Sequence, residues 1–179
     1  GLIVLTHAHS DHAGGAGYFA RKYQVPVLVG AGDLGMLRKG RAEVLNPTSL
    51  FAGLLRIFVN QPYLPFEPTQ LAKAEISLAA YGIQGRIVPL PGGHTPGSLA
   101  VILDDSREAL VGDLVRGSIT QPGVAEEHFY HENRQLSRWQ LWWLIRHQGV
   151  ETLHPGHFGS FTADEVRLQF FPDGRFVWP

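Results

Sequence analysis

The chain has 179 residues, of which 44% are hydrophobic and 17% are charged, and its formal net charge is −1. This length fits one globular domain over residues 1–179, and the near-neutral charge argues against nucleic acid or an anionic membrane as a partner. The chain contains no cysteine, which excludes disulfides, thiolate metal ligands and a cysteine nucleophile.

The first part of the chain reads as alternating strands and helices. The expected elements are a buried strand at residues 2–5, a short helix that ends near residue 24, a strand at residues 26–29, and a helix over residues 34–39 that Asp33 caps and Gly40 ends. Between the first strand and the first helix lies the stretch THAHSDH, at residues 6–12.

Residues 49–68 are too apolar for an ordinary solvated loop. Three of their side chains are expected to be buried, against the domain or against a second chain in a homodimer: Phe51, Leu55 and Phe58. We also expect Tyr63 or Phe66 to approach the functional site, and a helix that only packs in the core is the alternative. This longest apolar run carries an arginine and is too short to span a bilayer. No signal peptide is visible, so the expected location is cytoplasmic.

The second part of the chain continues the alternation. Its expected elements are a helix over residues 71–82, strands at residues 86–90, 98–103 and 109–111, a loop to about residue 132, a helix over residues 133–147 and a strand at residues 150–153. Alternating apolar residues from Val166 onward predict a hairpin that turns at residues 172–174. Thr162 and Glu165 also match a capping box, so a short helix competes with the hairpin. The alternation of strands and helices indicates the α/β class.

The stretch THAHSDH is dense in side chains that bind metals. Side chains two residues apart point the same way in an extended segment, so His7, His9 and Asp11 can face one side while His12 faces another. One short loop can thus offer ligands to two metal ions. His7 and His9 need one further imidazole to make a three-nitrogen site with an open position for water.

Residues able to bind metal also follow three later strands. They are His94 after a glycine pair, Asp113 after Gly112, and His157 after Pro-Gly. Strand ends in α/β proteins meet at a sheet edge, where functional sites form, and a preceding glycine allows the backbone to turn tightly there. These three residues are therefore the candidates to complete the two sites, and a carboxylate between the sites can bridge them.

Taken in order, the motifs THAHSDH, GGHTPGS, GD and PGHFG resemble those of the metallo-β-lactamase superfamily, which includes the glyoxalase II-like metal-dependent hydrolases. The resemblance spans residues 1 to about 160. It implies a four-layer αββα sandwich, here apparently without its N-terminal strands, with the site at the edge of the two sheets. It also implies a ligand set: His7, His9 and His94 for one metal ion, Asp11, His12 and His157 for a second, and Asp113 as the bridge.

The activity implied by this resemblance is metal-dependent hydrolysis of a small-molecule substrate. A hydroxide shared by two divalent ions would cleave a small ester, thioester, lactone or related bond, with Asp11 as the catalytic proton carrier. Zinc is the expected ion, and iron and manganese fit the same ligands. The alternative is an iron-dependent oxidoreductase of the persulfide dioxygenase type, whose members keep the first motif but use a single iron. The neutral charge argues against a nuclease.

Four other residues carry weaker expectations. Phe158 stands where the superfamily commonly has a glycine, which predicts a crowded pocket wall. His154 is expected to support a strand end or a ligand rather than to bind metal itself. His128 and His131 are expected in a solvated loop.

Overall fold

A computed structural model of the chain describes residues 1–42 and 45–176. The helices are α1 (Ser10–Ala13), α2 (Ala16–Tyr23), α3 (Leu34–Lys39), α4 (Leu50–Val59), α5 (Arg134–Arg146) and α6 (Ala163–Phe170). The strands are β1 (Ile3–Val4), β2 (Val27–Gly30), β3 (Gln70–Ala72), β4 (Ile76–Ser77), β5 (Gly85–Pro89), β6 (Leu99–Leu103), β7 (Glu108–Gly112), β8 (Arg116–Gly117), β9 (Ala125–Glu126), β10 (Thr152–Pro155) and β11 (Phe161–Thr162).

Two sheets occupy the centre of the molecule. The smaller has three parallel strands in the order β1-β2-β3. The larger has six strands in the order β11-β10-β7-β6-β5-β4, and its neighbours are antiparallel except for the parallel pair β7 and β10. The backbone N–H of Leu99 donates to the carbonyl of Thr6 at 2.7 Å, which joins the sheets where β1 ends and β6 begins.

Alternating side chains build a layered core, because successive residues of a strand face opposite sides of the sheet. Leu28 of β2 and Leu99 of β6 pack between the two sheets. Val29 follows Leu28, and Ala100 follows Leu99, so these two side chains face away from the other sheet. Val29 packs on the side of α2 and α3, and Ala100 packs on the side of α5 and α6. The layers are therefore helix, sheet, sheet and helix, as the α/β sandwich prediction requires.

The predicted helix over residues 71–82 is wrong. These residues form β3, β4 and a single 3-10 turn at Ala79–Tyr81. Leu71 pairs with Val29 of β2, and Ile76 pairs with Ile87 of β5. Pairing with β2 and β5 thus determines the conformation of residues 71–82 and overrides the helical spacing of their apolar side chains.

The predicted hairpin in the tail is also wrong, and the competing helix is present as α6. The side chain of Thr162 accepts the backbone N–H of Glu165, and the carboxylate of Glu165 accepts the backbone N–H of Thr162. This reciprocal capping box satisfies two donors that the start of a helix leaves free. The end of the predicted return strand, at residues 177 and 178, lies outside the described residues.

The apolar segment at residues 49–68 contains α4, but its expected burial within the chain is wrong. The side chain of Ser49 accepts the backbone N–H of Ala52 and begins the helix. Ala52 is fully buried, whereas Phe51 and Phe58 are 54% and 71% exposed and Leu55 is half-buried. The helix therefore turns its small residue toward the core. Burial against a second chain stays a prediction.

No helix within the described parts of the chain has the length and apolar character needed to cross a membrane. The loop expected from residue 113 to residue 132 includes the short pair β8 and β9.

Candidate metal centre

The structure brings all seven predicted ligands together at one edge of the two sheets. They lie just after β1, between β5 and β6, after β7 and after β10. They form two groups that share one carboxylate: His7, His9, His94 and Asp113 in the first group, and Asp11, His12, Asp113 and His157 in the second. Each residue offers one ligand atom, and within each group these atoms lie within 4.8 Å of one another.

The first group is almost closed to solvent. Its four side chains are no more than 9% exposed. The Nε2 atom of His94 lies 3.2 Å from Nδ1 of His9, and the Nε2 atom of His7 lies 3.5 Å from Oδ2 of Asp113. Three imidazoles converging beside a carboxylate form a donor set that zinc commonly takes.

The second group is more open. The Nε2 atom of His157 lies 3.1 Å from Oδ2 of Asp11 and 3.6 Å from Oδ2 of Asp113. The Nε2 atom of His12 lies 3.2 Å from Oδ1 of Asp113. The Asp11 side chain is 52% exposed, and that of Asp113 is 2% exposed. Asp113 thus lies between the groups, in the position of a bridging carboxylate, and Asp11 lies at the solvent side.

The hydrogen bonding of the buried ligand atoms also indicates that this donor set fits metal ions. Among the described residues, three buried ligand atoms in these groups lack a hydrogen bond of good geometry: Nε2 of His7, Nε2 of His12 and Oδ1 of Asp113. The latter two lie 3.2 Å from each other, and Nε2 of His7 lies 3.5 Å from Oδ2 of Asp113. A buried polar atom without a hydrogen bond costs about 1–3 kcal/mol. Coordination of divalent ions would satisfy all three atoms. Metal binding by these residues stays a prediction.

The ring of His94 is oriented by the backbone of a distant loop. Its Nδ1–H donates to the carbonyl of Tyr130 at 2.8 Å. Burial lowers the pKa of His94 well below the ordinary value, so the neutral ring carries its proton on Nδ1. The Nε2 lone pair is then free to face the first group, an arrangement that is common behind metal-binding histidines.

Asp33 holds two of the ligand-bearing loops together. Its buried carboxylate accepts the N–H of Ala8 at 2.9 Å, the N–H of Gly97 at 2.6 Å and the hydroxyl of Thr95 at 2.9 Å. Burial raises the pKa of Asp33 to about 6. The predicted capping role is wrong in its detail, because the side chain makes no capping hydrogen bond to α3. It fixes the backbone beside the ligands instead.

Two of the glycines that precede ligands are required by the backbone. Gly112, before Asp113, has a φ of +54°, a conformation that other residues rarely adopt. At Gly156, before His157, a Cβ atom would lie 2.5 Å from Oδ1 of Asp113 and 2.6 Å from Cε1 of His12. A side chain at residue 156 would therefore crowd the second group. The interpretation of a glycine before a ligand as a tight turn is confirmed at Gly112, whereas Gly156 provides room for the ligand side chains.

The two groups differ in their protonation without metal. Burial lowers the pKa of His9 to about 4 and that of His7 well below the ordinary value, as it does for His94, so the three histidines of the first group are neutral. In contrast, hydrogen bonds to Asp11 and Asp113 raise the pKa of His157 to about 10. Burial would lower the pKa of His12, but the carboxylates beside it outweigh that effect and raise it.

We expect metal binding to the second group to depend more strongly on pH than binding to the first. A metal ion must displace the protons that His12 and His157 hold near neutral pH, so the affinity should rise about tenfold per pH unit for each proton released. The first group has no such proton to lose above a pH of about 4. Calorimetric zinc titrations in buffers of different ionisation enthalpy would count the protons released by each ion. Equal proton release for both ions would contradict this difference.

His128 and His131 are buried, so the prediction of a solvated loop is wrong. The Nε2 atom of His128 lies 3.1 Å from Oδ2 of Asp113, and its ring stacks near that of His157, with centroids 5.7 Å apart. His131 contacts the hydroxyl of Ser137 at 3.0 Å. The available signal was the pair Phe129 and Tyr130 between the two histidines, because aromatic neighbours indicate a loop that packs against the protein.

His154 makes contacts that fit the predicted supporting role at a strand end. It lies in β10, and its ring nitrogens contact the hydroxyl of Ser160 at 2.8 Å and the carboxylate of Glu108 at 3.3 Å. It belongs to neither of the candidate metal groups found among the described residues.

The segment at residues 49–68 reaches the site in two places. The hydroxyl of Tyr63 donates to the carbonyl of Ala8 at 2.9 Å, between His7 and His9, which confirms that Tyr63 approaches the ligands. The Tyr63 hydroxyl thus stabilises the backbone between two ligands. Helix α4 supplies Leu55 and Val59 to the wall of a cavity of about 220 Å³. Asp11, Asp113 and His157 also line that cavity, so it lies beside the second group.

Comparison with known proteins identifies the family of this chain and relatives that share its fold. The model of the metallo-β-lactamase superfamily matches residues 2–159. The chain is 28% identical over 172 residues to a hydroxyacylglutathione hydrolase of Anaeromyxobacter dehalogenans (strain 2CP-C), with 96% of this chain and 53% of that protein covered. It thus spans about half the length of that curated relative.

Solved structures share the fold at low identity. The BLEG-1 B3 metallo-β-lactamase superposes with a TM-score of 0.65 at 18% identity, covering 95% of this chain and 75% of that chain. TTHA1623 in a di-iron-bound form superposes with a TM-score of 0.62 at 22% identity, covering 96% and 76%. These likenesses show the fold alone.

Proposed function

Because the chain belongs to the metallo-β-lactamase superfamily, we propose that it is a metal-dependent hydrolase with two divalent ions, acting on a small ester, thioester, lactone or related bond. The observation that carries this proposal is the convergence of seven candidate ligands, with three unpaired buried atoms among them, beside a cavity. Zinc is the first candidate because imidazole and carboxylate ligands suit it.

The seven residues would divide between two ions that share Asp113. When bound, divalent ions in such a site polarise the scissile carbonyl and lower the pKa of water to about 7. The first group is closed by burial, so its three histidines would hold one ion firmly and keep bulk water away. The second group faces the cavity, where a substrate can enter.

Asp11 is the residue best placed to move a proton. Burial would raise the pKa of its carboxyl group, but the hydrogen bond from His157 outweighs this and holds the pKa below its ordinary value. The carboxylate is therefore ionised at neutral pH. Its half-exposed oxygens line the cavity, where they can accept a proton from water and pass it to the leaving group.

His128 is placed to orient the shared carboxylate. Its Nδ1 atom lies 3.3 Å from both the backbone N–H and the carbonyl oxygen of Tyr130, which hold the ring in place. Burial lowers the pKa of His128, which favours the neutral ring. Its Nε2 atom lies 3.1 Å from Oδ2 of Asp113, within reach of the carboxylate between the two groups.

We expect protein purified without added metal to contain about two divalent ions per chain, and a strong chelator to abolish hydrolysis. The measurement is elemental analysis, followed by assays on a nitrophenyl ester, a thioester and a lactone before and after zinc is restored. Recovery of activity with zinc supports the proposal. Hydrolysis that persists in fully metal-free protein would contradict it. A single iron per chain with oxygen uptake on a persulfide would favour the oxidoreductase alternative.

A further inference from the structure

The cavity beside the second group is lined by two chemically different sets of side chains. The polar set includes Asp11, Asp113, His128 and His157. The apolar set is Leu45, Leu55, Val59, Phe129 and Phe158. A substrate with its scissile bond beside the polar set must therefore place other parts of its structure against the apolar set.

Two further polar residues of the cavity lining, Asn60 and Tyr130, are hydrogen-bonded within the protein. Asn60 accepts the N–H of Ala42 at 3.2 Å and donates to its carbonyl at 3.3 Å. The hydroxyl of Tyr130 donates to the carbonyl of Ala52 at 2.8 Å. These groups hold the wall together and offer little to a polar ligand, since a new hydrogen bond would have to replace an existing one.

The apolar set offers no cation to an anionic substrate. None of the described residues that line the cavity is a lysine or an arginine. The guanidinium of Arg116 lies 4.0 Å from the centre of the Phe129 ring, but it is paired with the carboxylate of Glu126 at 2.6 Å. A substrate carboxylate or phosphate that lies against the apolar set, away from His157 and the other candidate metal ligands, would lose water without gaining a partner, which is costly.

Phe158 completes the wall in a strained conformation. Its φ is +62°, in the left-handed region that bulky residues seldom adopt. The neighbouring backbone is held in place, because the N–H of Gly117 donates to the carbonyl of His157 at 3.0 Å. Strain of this kind persists where the surrounding structure imposes it, and it is concentrated at functional sites. The Phe158 ring is 54% exposed and contributes apolar surface to the cavity lining, although a glycine at this position would be less strained.

We propose that this cavity is an acyl-chain subsite and that the substrate is an ester or thioester of an uncharged, unbranched acid of medium chain length. The inference rests on the proposed hydrolase function and adds the substrate class to it. Hydrolysis would join a water oxygen to the acyl carbon and break its bond to the alcohol or thiol. The products are the free acid and the protonated leaving group.

The first test is a series of nitrophenyl esters from acetate through butyrate to hexanoate, with the leaving group held constant. Each methylene buried in the cavity should raise kcat/KM by about threefold, which amounts to about a hundredfold from acetate to hexanoate. If the esters are hydrolysed with the same or falling kcat/KM along the series, the subsite is wrong while the hydrolase function stands.

Variants on one helix locate the effect. Leu55→Trp should fill the cavity and remove the preference for longer chains, so that kcat/KM no longer rises from acetate to hexanoate. Leu54→Trp is the matched control, because Leu54 lies on the same helix, is 71% exposed and does not line the cavity. Loss of the chain-length preference in both variants, or in neither, would contradict the proposed position.

Phe158→Gly separates a wall role from a structural one. This change relieves the strained φ, so the melting temperature should stay the same or rise. The preference for hexanoate over acetate should nevertheless fall by about tenfold, because the apolar wall is removed. A variant that loses stability and keeps the preference would show that Phe158 serves only the fold.

Binding measured without turnover keeps the two proposals distinct. N-methyloctanamide, a neutral amide, should bind the purified protein and shift amide NMR signals of the cavity residues. Leu55→Trp should abolish this binding and Leu54→Trp should preserve it. Such binding in a protein that hydrolyses none of the esters would support the subsite and count against the hydrolase function. Absence of binding to the parent protein would overturn the subsite.

Discussion

Replacing His94 with alanine is expected to remove one of the two metal ions and to lower kcat/KM by at least about a hundredfold. The Nε2 atom of His94 lies 3.2 Å from Nδ1 of His9 and 3.7 Å from Oδ2 of Asp113, so it stands at the centre of the first group. The carbonyl of Tyr130 also orients His94, because it accepts the Nδ1–H of that ring at 2.8 Å. The remaining two imidazoles would hold an ion far less tightly.

Elemental analysis and ester hydrolysis measure this effect together, with circular dichroism as the check on folding. His147→Ala is the matched control, because His147 is exposed at the end of α5 and outside both groups. The assignment of the first group would fail if His94→Ala kept the parental metal content and rate.

Replacing Asp11 with asparagine is expected to lower kcat by about a hundredfold to ten-thousandfold while the first-group ion is retained. The substitution keeps the size of the side chain but removes its charge and its ability to accept a proton. Asp11 belongs only to the second group, so the histidines of the first group are untouched. KM should change less than kcat, since Asp11 acts on the proton and not on the apolar part of the substrate.

Steady-state kinetics with one ester and metal analysis of the same preparation test this separation. Asp105→Asn, at an exposed carboxylate away from the site, controls for the loss of one negative charge. Turnover at the parental rate in Asp11→Asn would show that Asp11 is not the proton carrier. Loss of both metal ions would make its role structural.

The candidate site was largely predictable from the sequence because its residues follow strands. Asp113 and His157 come directly after β7 and β10, which are parallel neighbours, so the sheet itself brings them together. His7 and His9 lie in one extended stretch, where a spacing of two residues fixes their relative direction. Local sequence therefore carried both the chemistry and much of the geometry.

Features that depend on distant contacts were not predictable in the same way. The helical spacing at residues 71–82 gave way to pairing with β2 and β5, whose presence is a property of the whole fold. His128 is buried because its loop returns to Asp113, and no local pattern specifies that return. Asp33 looked like a helix cap from its position, yet its carboxylate binds backbone N–H groups far away in the chain.

The division of the ligands between the two sheets has a consequence for the integrity of the fold. His7, His9, Asp11 and His12 follow a strand of the smaller sheet, whereas His94, Asp113 and His157 follow strands of the larger one. Each ion would therefore crosslink the two sheets of the sandwich. A ligand that binds only the folded state adds to the free energy of unfolding in proportion to the logarithm of its concentration. Resistance to heat and to proteolysis would then increase with the supply of metal. A shortage of metal would therefore lower the amount of folded protein as well as its activity.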